Sequence, residues 1–562
     1  MIKIGIHNTG NFASAALFKD GEIIYACANE RLTRNKYDSS FPFAVIEKGL
    51  TEIGMTYNDI DEIVLSWNSY INASNRFKRF SNSVNHPMER LHNSINAILP
   101  NLNIKHIDVS HQKIYYDNKS ITFSFVNHHY SHIGMAYNTS PFESASVFIS
   151  DGFGEETSSL LAVAKGNEIK ILKEHNFPHS LGMFYGTLTE YCGFKSEKDE
   201  WKIMGASAYG NPERFYSKLS KLIHVENGNL ELDLNYFDFY SFNSKGMFSN
   251  KLIELLEDDI KDNNPNQKMY DIASATQLIY EESSIKLINW LHSKSEEKSN
   301  LCLGGGTAMN SLFNGKVTSK TKFKNVFISF SPDDTGNAIG SVLYKDRIKK
   351  PYLESFLGSE YSNNDIKVYL NKYKLKSHYF ERNELNLQIA KSIFEGKIVG
   401  WFQGRMEYGQ RALGNRSILA NPCDPEMKNK LNKIIKYRES FRPFAPAIID
   451  EYGEEYFENY TYTPYMEKIL KFKDAVINRI PAVVHDDNTG RLQSVSENDN
   501  FEFYQLIQSF YKISGIPILI NTSFNVSGEP IVSSPEDAIK TFYTSGLDIL
   551  VLNNYVIFKE DI

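Results

Sequence analysis

Cysteine is scarce and scattered. The 562 residues include 4 cysteines, Cys27, Cys192, Cys302 and Cys423, and no pair has C-x-x-C spacing. Zinc-finger and redox-dithiol chemistry therefore fail as readings. No uninterrupted apolar run approaches the ~18 residues of a membrane span. The opening stretch MIKIGIHNTGNFAS lacks an apolar segment of signal-peptide type. A cytoplasmic protein without a membrane span is expected. Positive charge is also in deficit: the formal net charge is −7, which argues against a broad basic surface for nucleic acid. What is present suits a soluble globular chain, with 41% hydrophobic, 23% charged and 13% aromatic residues. The length is too great for one core, and roughly two to four domains are expected.

The first thirty residues read as three short strands, Lys3 to Asn8, Ser14 to Phe18 and Glu22 to Ala28, with turn signals at Asn8-Thr9-Gly10-Asn11 and Lys19-Asp20-Gly21. The pattern partly recurs: Ala145 to Ser150, the loop Asp151-Gly152-Phe153-Gly154, then Ser159 to Ala164. Two such halves suggest a duplicated α/β architecture whose Gly-containing loops can offer N–H groups to phosphate. Two ordinary hairpins are the plainer alternative. Helices are expected near Pro42–Gly54, Pro87–Leu99 and Asp271–His292. Strands are expected at Asn300–Leu303, running into Gly304-Gly305-Gly306, and at Asn325–Phe330. The polar stretch Lys345–Asn364 reads as a linker, and a second α/β segment follows with strands at Ile398–Phe402 and Pro517–Ile520.

Three of the 14 histidines fall within VNHHYSHIGMAY, Val126 to Tyr137. His128 and His132 stand one helical turn apart, so both rings can reach one ion, while His129 points elsewhere. Asp151 ends an apolar strand, where a carboxylate needs a partner. Asp334 opens a probable helix, where capping alone would also explain it. Two neutral imidazoles and two carboxylates would neutralise a divalent cation, and mixed N/O ligation suits Fe(II), Mn(II) or Zn(II).

Cations crowd the later part of the chain: Arg405, Arg411, Arg416, Lys436, Arg438 and Arg442. A solvated mixed-charge face is one reading. Against it, Arg411 and Arg442 are embedded among Gly, Ala, Leu, Phe and Pro, as guanidinium groups that meet a buried anion often are. Asn521, Ser523 and Asn525 follow a strand, at the edge where α/β sheets bind ligands.

Long strings resemble the O-carbamoyltransferase family of natural-product and nodulation-factor pathways. They are PHSLG (Pro178–Gly182), TEYCGF (Thr189–Phe194), EWKIMGASAYG (Glu200–Gly210), WFQGRMEYGQRALGNRSILANPCDPEM (Trp401–Met427), FRPFAP (Phe441–Pro446) and NTSFNV (Asn521–Val526). The resemblance implies an α/β protein in two parts. Residues 1–350 would form a duplicated actin/Hsp70-like domain for carbamoyl transfer, and 351–364 a linker. Residues 365–562 would form a carbamoyl-adenylate-forming domain similar to threonylcarbamoyl-adenylate synthase. It implies a metal, Fe(II) foremost with Mn or Zn as alternatives, on His128, His132, Asp151 and Asp334. It implies nucleotide contacts from Asn11, Lys202, Gly304, Gly305, Gly306, Asn310 and Asn521. Lys36, Arg411, Lys436, Arg442, Arg491 and Ser523 would handle carbamoyl phosphate and the adenylate. ATP with Mg(II) and carbamoyl phosphate would be substrates, and a small-molecule or sugar hydroxyl the acceptor. The family histidine of the first hairpin loop is replaced here by Asn11, which can hydrogen-bond but cannot act as a base near neutral pH. Two alternatives are a tRNA threonylcarbamoylation enzyme and a non-catalytic nucleotide-binding protein of the actin/Hsp70 type.

Overall fold

A computed structural model describes residues 1–10, 12–68, 109–116, 119–241, 244, 246–257, 264, 266–436 and 444–561. The expectations at Asn11, Pro87–Leu99, Arg438 and Arg442, and the side chain of Lys436, lie outside the described residues. The chain forms two compact units, each discontinuous in sequence. The first comprises residues 1–22, 46–310 and 316–353; the second comprises 23–45, 311–315 and 354–562.

Two sheets organise the first part of the chain. One holds β1 (Ile2–His7), β2 (Ser14–Lys19), β3 (Glu22–Ala28), β4 (Glu62–Leu65), β5 (Val109–Tyr116) and β6 (Lys119–Val126) in the order β3-β2-β1-β4-β6-β5. The other holds β7 (Ser144–Ser150), β8 (Thr157–Lys165) and β9 (Glu168–Asn176); after the small hairpin β10 (Ile223–Glu226) and β11 (Asn229–Leu232) come β12 (Asn300–Gly304) and β13 (Asn325–Ile328), giving the order β13-β12-β7-β8-β9. Apart from the edge strand β5, both sheets follow one plan. The first strand pairs antiparallel with the second, β1 with β2 and β7 with β8. It also pairs in parallel with the fourth, which pairs in parallel with the fifth. The repeated order is the duplication expected from the two similar hairpins, and it is the plan of an actin/Hsp70-like fold.

The helix His128–Ala136 lies against β7 and β12, and the helix Asn337–Asp346 lies against β1. Their crossing is unusually close. A Cβ on Gly134 would fall 2.0 Å from the Gly340 carbonyl oxygen, and one on Gly340 would fall 2.1 Å from that of Ser131. Backbone meets backbone here, so no rotamer change relieves a larger side chain. Gly340→Val should cost roughly 3 kcal/mol of stability and part the two helices. Thermal unfolding read together with metal uptake tests this; an unchanged melt would contradict the crossing.

The second unit is built on a sheet of β14 (His378–Tyr379), β15 (Val399–Phe402), β16 (Arg416–Ala420), β17 (Ala445–Ile449), β18 (Lys468–Lys471), β19 (Thr489–Val495), β20 (Ile518–Ser523), β21 (Ile549–Leu552) and β22 (Tyr555–Phe558). Their order is β14-β22-β21-β15-β16-β20-β17-β19-β18. Arginines tie residues 23–45 into this unit. Arg31 donates to the Gly409 carbonyl at 2.7 Å, and Arg34 donates to those of Ile531 and Pro530 at 2.6 and 2.9 Å. Arg405 donates to the Ile24 carbonyl at 2.8 Å. No described helix is long and apolar enough to cross a membrane.

Candidate functional site

The histidine pair owes its place to two caps. Asn127 Oδ1 accepts from the His129 and Tyr130 backbone N–H groups at 2.9 and 3.4 Å, which starts the helix at His128. The buried Glu155 carboxylate accepts from the His128 N–H at 3.1 and 3.2 Å and from that of Asn68 at 2.6 Å. Both imidazoles then meet two carboxylates. His128 Nε2 lies 3.2 Å from Asp151 Oδ2 and 3.3 Å from Asp334 Oδ1. His132 Nε2 lies 2.9 and 3.3 Å from the same atoms. One ligand atom from each of the four residues falls within 4.8 Å of the others.

This set fits a divalent cation. The two Nε2 atoms are 3.2 Å apart and face acceptor oxygens, so something positive must stand between them. Asp334 Oδ1 is buried and faces both Nε2 atoms at 3.3 Å. Without metal, that positive charge is carried by protons. Burial disfavours a charged His128, but Asp334 and Asp151 outweigh it and hold its pKa well above the ordinary imidazole value. Burial likewise opposes charge on His132, and hydrogen bonds to both carboxylates reverse the balance. Burial would raise the Asp334 pKa, yet His128 and His7 bring it well below the carboxylate range. His129 behaves differently: burial, then its two neighbours, push its pKa to about 3. Metal entry should therefore expel about one to two protons, with affinity rising as pH climbs above the ordinary imidazole value of about 6.5 and the two raised histidines empty. Calorimetry with Mn(II) in buffers of different ionisation enthalpy measures this, and affinity falling over that range would contradict it.

Two close neighbours were not assigned from sequence. Asn337 Nδ2 lies 3.1 Å from His132 Nε2, and His7 Nε2 lies 3.5 Å from Asp334 Oδ2. His7 ends β1, which finishes beside the start of the Asn337 helix. The glycine loop lies beside the same cluster. A Cβ on Gly305 would fall 2.1 Å from the Ser150 carbonyl oxygen, and one on Gly306 would fall 2.8 Å from Asp151 Oδ1. Asn310 forms a reciprocal amide pair with Gln277, at 2.9 and 3.1 Å. Lys202 pairs with Asp199 at 3.0 Å. Lys36 falls in the segment that packs with the second unit, its ammonium 5.2 Å from the centre of the Tyr37 ring.

In the second unit, register collects several of the polar candidates on one sheet face. Asn521 is paired with Leu419 and Ala445, Ser523 with Ser417, and Gln493 with Ala447. Paired residues share a face and alternate residues repeat it, so Ser523, Asn521, Gln493 and Arg491 all lie on that face. The loop carrying Arg411 is fastened to the same strands. Asn521 Nδ2 donates to the Ala412 carbonyl at 3.2 Å and to Gln493 Oε1 at 2.7 Å, and Gln493 Nε2 donates to the Leu413 carbonyl at 2.9 Å. Buried Glu407 gathers the N–H groups of Leu413, Asn415 and Arg416 at 2.8 to 3.0 Å. Arg416 is fully buried and donates to four carbonyls, those of Gln403, Asn415, Ser359 and Gly404. Arg405 also spends its guanidinium on carbonyls. These two are structural, which composition could not separate from ligand-binding arginines.

Residues 2–343 match the family described as carbamoyltransferase N-terminus, and residues 390–559 match carbamoyltransferase C-terminus. The chain belongs to the carbamoyltransferase family. Relatives run the length of this enzyme. The protein sll1178 of Synechocystis is 34% identical, covering 99% of this chain and 96% of its own. Nodulation protein NolNO of Sinorhizobium fredii is 33% identical, covering 97% of this chain and 79% of its own. MJ1051 of Methanocaldococcus jannaschii is 31% identical and covers 98% of both. Among solved structures, HypF of T. kodakarensis aligns over 62% of this chain and 48% of its own at 13% identity, with a TM-score of 0.28. ParM of Bacillus thuringiensis aligns over 62% and 99% at 11% identity, with a TM-score of 0.26. The fold assignment rests on strand order, not on these two.

One further residue of this carbamoyltransferase was not assigned from sequence. His485 stands before β19, its Nδ1 3.1 Å from Thr489 Oγ1. Burial, then Arg491 and Lys428, push its pKa to about 3, so it stays a neutral imidazole in cationic surroundings. The only sequence signal was its place six residues before Arg491.

Proposed function

We propose that this carbamoyltransferase activates its one-carbon unit as carbamoyl-adenylate in the second unit and transfers it to an acceptor hydroxyl in the first. The observation that carries the reading is the pairing of two unlike sites in one chain: a polar face with embedded arginine, and a buried His/Asp cluster. In the second unit, water splits carbamoyl phosphate into carbamate and phosphate. A carbamate oxygen attacks the α-phosphorus of ATP, and pyrophosphate leaves. Arg411, Arg491 and Ser523, with Lys436 and Arg442 that the family resemblance adds, would hold the anions, because guanidinium and hydroxyl donors match phosphate oxygens. Asn521 would hold the Arg411 loop in place.

In the first unit, His128, His132, Asp151 and Asp334 would hold the divalent metal, with Fe(II) the leading candidate. When bound, that ion supplies Lewis acidity toward the carbamoyl or phosphoryl oxygens. Gly304, Gly305 and Gly306 let the backbone approach the nucleotide closely, and Asn310, with its amide oriented by Gln277, would contact it. Lys202 would stand near phosphate, its charge shared with Asp199. An acceptor hydroxyl attacks the carbamoyl carbon, its proton passes to solvent, and AMP leaves. Asn11, in place of the family histidine, would hydrogen-bond without taking that proton.

The test is direct. Pure protein given ATP, Mg(II) and carbamoyl phosphate should release pyrophosphate only when carbamoyl phosphate is present. A mass gain of about 43 Da on the acceptor would identify the product. Pyrophosphate release without carbamoyl phosphate dependence, or none with metal and acceptors supplied, would falsify the reading.

A further inference from the structure

His485 is fixed by the turn that opens β19. Its N–H donates to the Thr489 carbonyl at 2.8 Å, and the Asn488 N–H donates to the His485 carbonyl at 2.9 Å. The ring is held as well. Thr489 Oγ1 lies 3.1 Å from His485 Nδ1 and 2.6 Å from Asp487 Oδ1. A hydroxyl has one proton, and a carboxylate can only accept. The Thr489 proton therefore goes to Asp487, and the Thr489 oxygen accepts from the ring. His485 then carries its proton on Nδ1, and Nε2 keeps a lone pair.

That lone pair has no internal use. His485 Nε2 is buried without a hydrogen-bond partner among the described residues. Burial, then Arg491 and Lys428, keep a second proton off the ring, and Asp486 does not reverse this. Nε2 is thus an acceptor sealed from water, in cationic surroundings, with no donor to meet it. Such a group is costly in a fold unless a ligand brings the donor. A second acceptor of this kind, Asn521 Oδ1, stands in the same unit.

Position indicates the ligand. Thr489 and Arg491 are alternate residues of β19, so both lie on the face that carries Gln493, Asn521 and Ser523. His485, bonded to Thr489, stands at the end of that face. A phosphate dianion offers only acceptor oxygens, which a lone pair repels. A carbamoyl group bonded to that phosphate offers an amide with two N–H donors.

We propose that His485 is the specificity contact for the carbamoyl amide: its Nε2 accepts from the amide N–H while Arg491 takes the phosphate. The inference rests on the activation reaction proposed above and names a residue that tells carbamoyl phosphate from acetyl phosphate. These two differ by NH2 against CH3, groups of nearly equal size, so shape separates them poorly. A methyl group against Nε2 leaves the lone pair buried and unpaired, and the site rejects it for that reason.

Two stable analogues test this: phosphonoacetamide, which has the amide, and acetonylphosphonate, which has a methyl group in its place. Calorimetry with the full chain measures both without turnover. Wild type should prefer the amide by about tenfold to a hundredfold. His485→Phe removes the acceptor and keeps a ring. It should weaken phosphonoacetamide to the level of acetonylphosphonate and leave the latter unchanged or tighter. His485→Gln returns an acceptor oxygen and should recover part of the preference. Thr489→Val releases the tautomer and should erode the preference with the imidazole still present; it decides the matter if His485→Phe does not fold. Equal affinity of wild type for the two analogues, binding of neither, a preference that survives the substitutions, or an equal loss of both ligands in His485→Phe would each overturn the inference. A wild type with the His485-dependent preference that never forms pyrophosphate would sink the activation chemistry and leave the contact standing. Pyrophosphate release without the preference would do the reverse.

Discussion

His132→Ala is expected to leave the protein without its metal and without carbamoyl transfer, while pyrophosphate release from ATP and carbamoyl phosphate continues. His132 Nε2 is 2.9 Å from Asp151 Oδ2 and 3.3 Å from Asp334 Oδ1. Its removal takes away one of the two nitrogen ligands and one of the two charges that neutralise the carboxylate pair. Asp151 and Asp334 already raise one another's cost of ionisation. With one imidazole gone, a proton on the pair would compete with any incoming cation. Disturbing only an outer partner of a metal ligand commonly costs ten- to a hundredfold, so loss of a ligand itself should lower transfer by at least about a hundredfold. Metal content by elemental analysis should fall from about one per chain to near zero. If His132→Ala loses both half-reactions together while folded, the division of labour between the units is wrong.

Arg491→Ala should produce the opposite pattern. Arg491 stands on the same face of β19 as Gln493, which is tied to Asn521 and to the Arg411 loop. The register that places it there is set by the pairing of β18 with β19, where Ile469 faces Arg491. Loss of a guanidinium that meets a phosphate should lower carbamoyl phosphate-dependent pyrophosphate release by about a hundredfold or more, with metal content unchanged. Arg491→Lys should recover only a part, because a point charge does not reproduce the planar fork. Arg416→Met is the contrasting case. Four carbonyl oxygens each lose a donor, and the expected effect is a stability loss of roughly 3–5 kcal/mol. A folded Arg491→Ala variant that still releases pyrophosphate at the wild-type rate would remove that residue from the anion site.

Much of the candidate metal site was legible because its signals are local. His128 and His132 carry their geometry in a four-residue spacing, and Asp151 is conspicuous as a carboxylate at the end of an apolar run. Asp334 was weaker, since a helix start explains an aspartate without any metal. Asn337 and His7 were not legible as neighbours of the site, because nothing in sequence says that β1 ends beside the helix Asn337–Asp346. The arginines show the same limit. Arg411, Arg405 and Arg416 lie within twelve residues of one another, yet two of them turn inward onto carbonyls. Composition reports charge; only packing reports which way a guanidinium points.

The amino-acid sequence by itself determined nine of the strands, the repeated hairpin plan, the histidine spacing and the family, since each depends on residues adjacent in the chain or on long strings of them. The tertiary structure alone decided that residues 23–45 pack with the second unit, and that Gly134 and Gly340 bring two helices into backbone contact. It also decided that Arg491, Gln493, Asn521 and Ser523 share a face. Those facts depend on strand register and on contacts between residues up to several hundred positions apart. A one-residue slip in register would turn each of those side chains to the opposite face.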